Sequence, residues 1–137
     1  MITLTEEMFR MHAPQGIAQG EVTIWNKKFC PPEILVQAQK GNLVVKKLEN
    51  DRLILGHSET GHHHVLEAVR PVHISQVAQA LVDEVNDLFI NLTLHEDAKV
   101  SHLRSDDTHG AYMLEAGEYI CRPDDESTVE GWRKVAD

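Results

Sequence analysis

Turn residues cut this chain into short apolar runs, and that punctuation limits what it can fold into. Ile34 to Gln39 is followed by Lys40-Gly41-Asn42, and Leu43 to Leu48 by Glu49-Asn50-Asp51 before Arg52 to His57 begins. Short strands joined by Gly, Asn and Asp turns read as an antiparallel meander. Glu21 to Trp25 alternates and is β-branched, so it reads as an earlier strand, with Pro31-Pro32 interrupting after it. His62 to Val69 reads as a further strand, ended by Arg70-Pro71. Leu92 to Leu94 and Lys99 to Leu103 follow the same pattern, and Glu115-Ala116-Gly117 is a candidate hairpin turn between Tyr112-Met113-Leu114 and Glu118 to Cys121.

Two segments carry helical signals. Thr5 to Met11 reads as a short helix with Thr5 as its cap and Glu6 and Glu7 in the first turn. Ile74, Val77, Ala78, Leu81, Val82, Val85, Leu88 and Phe89 fall on an amphipathic stripe, with Asp83, Glu84 and Asp87 outside it. This predicts a helix around residues 75–89, capped by Ser75, that covers the sheet or a dimer partner. His12 to Gly20 reads as a loop, Pro123 to Ser127 as an acidic loop, and Glu130 to Asp137 as a tail whose Trp132 packs back. The expected fold class is mainly β (α+β): a small antiparallel β-barrel or roll with one amphipathic helix, in a single domain over residues 1–137.

Composition narrows the partners. At 137 residues the chain is long enough for its own core, and with 5% aromatics that core must be mostly Val, Leu, Ile and Ala. Lysine and arginine total 13 against 22 acids, a net charge of −9, which disfavours nucleic acid because phosphate binding needs basic residues. No apolar run reaches the roughly 18 residues of a membrane helix. The N-terminus carries Glu6 and Glu7 without an apolar stretch, so no signal peptide is expected and a cytoplasmic location follows. Cys30 and Cys121 sit in no CxxC and read as reduced, buried thiols.

The chemistry concentrates in Gly56-His57-Ser58-Glu59-Thr60-Gly61-His62-His63-His64-Val65. Imidazole is the commonest metal ligand and titrates near neutrality. On a strand, His62 and His64 share a face and His63 opposes them. A short loop would return His57 alongside, so three imidazoles from adjacent strands can hold a metal. His102 and His109, flanking Arg104-Ser105-Asp106-Asp107, form a second set that would meet the first if a barrel closes. The candidate ligands are therefore His57, His62, His64, His102 and His109, and the cofactor is a divalent transition metal, with zinc, iron, nickel and manganese not distinguished. Glu59 and Asp107 are the weak candidates for an acid–base group. The competing readings are solvated or core histidines and metal-free acid–base catalysis. His12, His73 and His95 are isolated. No P-loop, GxGxxG, GxSxG or HExxH is present.

Gly56-x5-His62-x-His64 resembles the start of the first cupin motif, in which two histidines and a following glutamate hold iron, manganese or zinc in a small β-barrel. Here Glu67 follows His64 one position earlier than that motif expects. The chain also resembles short uncharacterised bacterial and phage proteins in Gln19-Gly20-Glu21-Val22, in Gly56 to Val65, in His102 to His109 and in Glu130 to Asp137. Against that pattern, residues 75–89 look like an insertion and Arg122 to Ser127 departs. The expected function is a metal-binding β-barrel protein that engages an unknown small molecule or protein partner. The alternatives are a cupin-like metal-dependent enzyme and an acidic phage or bacterial interaction protein. A homodimer through the apolar helix stays open.

Overall fold

The computed structural model describes residues 1–20, 22–46, 50–56, 63–84, 89–102, 111–123, 125–128 and 131–134, the last two segments and His102 by their backbone alone. Helix α1 is Glu6–Met11, α2 is Pro32–Ala38 and α3 is Ile74–Val77. The strands are β1 (Ile2–Leu4), β2 (Ile17–Gln19), β3 (Val22–Asn26), β4 (Leu43–Val45), β5 (Leu53–Gly56), β6 (His64–Ala68), β7 (Ala78–Asp83), β8 (Ile90–Leu94), β9 (Ala98–His102), β10 (Tyr112–Leu114), β11 (Gly117–Pro123), β12 (Asp125–Thr128) and β13 (Gly131–Lys134).

Two sheets form the molecule's frame. The five-stranded sheet runs β1-β10-β9-β6-β5, antiparallel except for the parallel β1–β10 pair. The six-stranded sheet runs β2-β3-β11-β8-β7-β4 and is antiparallel throughout. One apolar cluster draws on both: Leu53, Leu66, Val100 and Leu114 from the first, and Val22, Ile24, Ala80, Leu92 and Cys121 from the second. Alternation along each strand supplies those inward residues. Strand β3 is buried on both faces because α2 covers its far side, where Trp25 and Ile120 meet Ile34, Ala38, Cys30 and Phe89.

The mainly β, α+β class holds, with two corrections to the architecture. Among the described residues the sheets are open, with β1 and β5 ending one and β2 and β4 the other, so no barrel closes. The long amphipathic helix is absent from the described part of 75–89: only Ile74–Val77 is helical, and Ala78–Asp83 is strand β7, paired on both sides. Positions 78 and 82 are four apart, a spacing that helix and strand faces share. Ala80 decides between them. It lies off the helical stripe, yet it is buried with Ala78 and Val82 while Gln79 is exposed. Nor is Ser75 the cap. His73 holds that position, and the Asp51 carboxylate accepts the Ile74 N–H at 2.8 Å. Residues 85–88 lie outside the described residues.

Other local expectations divide in the same way. Thr5 caps α1 by accepting the Met8 N–H at 3.3 Å. Ile34 to Gln39, expected as a strand, is mostly helix α2, because Pro31-Pro32 sets up a helical first turn and Ile34 and Ala38 bury one face. Strand β4 therefore pairs with β7 rather than with its chain neighbours, so the expected meander does not form, and β5 pairs instead with β6. Glu115-Ala116-Gly117 joins two sheets rather than two paired strands. The loop expected at His12 to Gly20 contains β2, and the acidic segment and tail pair as β12–β13. No described helix is long and apolar enough to cross a membrane.

Candidate metal centre

The structure brings one sequence-predicted ligand into the interior and sets a second opposite it. His64 opens β6 and is only 3% exposed. Its alternation partner Leu66 belongs to the core between the sheets. Strand β6 lies antiparallel to β9 with His64 and His102 as Cα partners, followed in register by Leu66 with Val100 and Ala68 with Ala98. The two histidine sets are thus joined by neighbouring strands of one sheet, without any barrel closure.

Connectivity ties two further segments to this end of the sheet. Gly56, the last residue of β5, pairs with His64 across a β-bulge, so the segment carrying His57, Glu59 and His62 leaves and returns at this end of the sheet. The segment carrying Asp107 and His109 leaves β9 at His102, from the same end. His57, Glu59, His62, Asp107 and His109 themselves lie outside the described residues, and His102 is described by its backbone alone. Among the described residues, no three His, Cys, Asp or Glu side chains are grouped to hold a metal.

Around His64 the structure adds residues that the sequence reading assigned no role. Gln19, at the end of β2 in the opposite sheet, is 5% exposed. Its Oε1 stands 3.2 Å from His64 Nδ1, and its Nε2 donates to the Val100 carbonyl at 3.0 Å. Gly20 follows at φ +53°, where a Cβ would stand 3.0 Å from His64 Cε1 and 3.4 Å from Nε2. Gly56 closes the other side, where a Cβ would meet Val22 Cγ2 at 2.7 Å and His64 Cδ2 at 3.8 Å. Glycine at 20 is thus what lets backbone pack this closely against the imidazole, whereas glycine at 56 makes room for Val22. The only sequence signal was Gln19-Gly20 itself, visible as part of a resembling block but with no motif logic to mark it.

Glu67, which a cupin-like motif would make a ligand, is placed elsewhere. Three residues after His64, it falls on the other face of β6 by simple alternation. There it meets Arg52 at 2.9 Å and Lys99 at 3.5 Å. The isolated histidines also stay apart: His73 is exposed beside Asp51 at 3.5 Å, and His95 is exposed at the end of β8.

Both thiols are held in the protonated form at neutral pH. Burial pushes Cys121 up to about 12. Burial, reinforced by the nearby Glu33 charge and opposed by Lys27, pushes Cys30 to about 11. Compared with known proteins, the chain matches no family model, no curated protein and no solved structure. What it does must therefore be argued from its own side chains.

Proposed function

We propose that this chain binds a divalent transition metal at the end of the five-stranded sheet where β6 meets β9. The observation that carries the reading is the register of His64 with His102, one of them buried in the interior. Directly opposed residues of an antiparallel pair hold their Cβ atoms about 4.5–5.5 Å apart, close enough for two imidazoles to share an ion. His57, His62 and His109 lie in the two chain segments that run on in sequence from these strand ends, and they are the remaining donors the reading would require. Neutral imidazoles suit zinc, iron, nickel and manganese alike, so the donor type defines the class of metal and not its identity.

The burial of His64 favours a structural or regulatory metal over an open catalytic one. A structural site uses four protein ligands and keeps no water position, and its binding free energy adds directly to folding. Glu59 and Asp107 would be the acid–base groups only if a ligand position stayed open to substrate. With a closed ligand shell the working surface would lie elsewhere, toward a small-molecule or protein partner.

Thermal unfolding of tag-free protein, purified without a nickel column, tests this. Zinc at about a hundred times its dissociation constant should stabilise the fold by about 2.7 kcal/mol. EDTA should reverse the gain. A melting curve indifferent to zinc, nickel, iron and manganese would remove the metal from the account.

A further inference from the structure

We infer that Gln19 is a positioning residue: it holds His64 as the Nδ1–H tautomer and so makes Nε2 the ligating nitrogen. The inference rests on the proposed metal site and specifies how that site is built. The reasoning starts at Val100. Its main-chain carbonyl can only accept, so the Gln19 atom 3.0 Å from it must be the amide nitrogen. That orientation leaves Oε1 facing His64 Nδ1 at 3.2 Å. A carbonyl oxygen accepts and cannot donate, so Nδ1 carries the proton. In a neutral imidazole the other nitrogen then carries the lone pair.

That other nitrogen is Nε2, on the side of the ring that lies against Gly20. A side chain at position 20 would stand 3.4 Å from it, so glycine there keeps the ligating edge clear of a Cβ. The hydrogen bond also fixes the ring's rotation, as carbonyl and carboxylate partners do for histidine ligands in general. The relay has a second consequence. Gln19 belongs to the six-stranded sheet, while His64 and Val100 belong to neighbouring strands of the other. One side chain therefore ties ligand orientation to the apposition of the two sheets.

The first experiment needs no variant and no metal. A long-range 1H–15N spectrum of the metal-free protein at pH 8 should show His64 as Nδ1–H, whereas an Nε2–H pattern would overturn the inference. The second uses zinc titrations of Gln19→Leu and Gln19→Glu. Leucine removes the acceptor and should weaken zinc binding about 10- to 100-fold. Glutamate keeps an acceptor for Nδ1–H but loses the donor to Val100, so it should restore most of the affinity. If Gln19 served only to brace the sheets, glutamate would bind zinc no better than leucine, and the positioning role would be wrong. Failure of the wild-type protein to bind zinc, nickel, iron or manganese while its spectrum shows Nδ1–H would sink the metal reading by itself. The Gln19-set tautomer would stand.

Discussion

At the scale of single residues, burial decides chemistry more than residue type does. His64 and His95 are the same side chain, yet one is enclosed by Gln19, Gly20 and Gly56 and the other stands in solvent. The cysteines show the same control from the other direction. Both thiols are held protonated, Cys121 by burial alone and Cys30 by burial with Glu33 beside it. An unfolded thiol ionises near about 8.5. Between that value and the folded values of about 12 and about 11, the native state holds more protons than the unfolded state. Stability must therefore fall as pH rises through this window, and below it the thiols contribute no slope. Urea midpoints from pH 8 to 10.5 should decline less steeply in Cys121→Ala than in wild type. Parallel declines would contradict the shift at Cys121.

At the scale of elements, the sequence was legible where a local signal had no rival. The Thr5 cap, the β-branched alternation of β3 and the turn before β5 are of this kind, the last with Asn50 and Asp51 at φ 50° and 57°. It misled where two periods overlap. Ile34 and Ala38, like Ala78 and Val82, are four apart and satisfy a helix and a strand equally. In the first case Pro32 tips the balance to helix, and in the second ladder bonds from β4 and β8 tip it to strand. Strand β8 follows β7 directly, but the β4 ladder comes from distant sequence, so no local window contains both. Position 80 turns this into a test. Ala80 is 2% exposed in the sheet, and Ala80→Leu should overpack the core and cost about 1–3 kcal/mol in urea unfolding. On a helix bearing the 75–89 stripe, position 80 would face outward, and the same change would be close to neutral.

At the scale of the whole molecule, topology does what spacing alone could not. The histidine window pointed to a metal, but the pairing of its strand with the strand of His102 depends on a sheet order that returns the chain after several intervening elements. Gln19 enters from the other sheet, across the core, which is why nothing near His64 in sequence announced it. A metal held where β6 meets β9 would then stabilise the junction of both sheets as well as its own ligands. The central claim is that His64 and His102 belong to one site. Isothermal titration with zinc of the tag-free wild type, His64→Ala, His102→Ala and His95→Ala tests it most directly. The account predicts a single equivalent bound by wild type and by His95→Ala, with affinity reduced by more than about tenfold in each of the other two. No uptake by wild type, or equal binding by all four proteins, would contradict it.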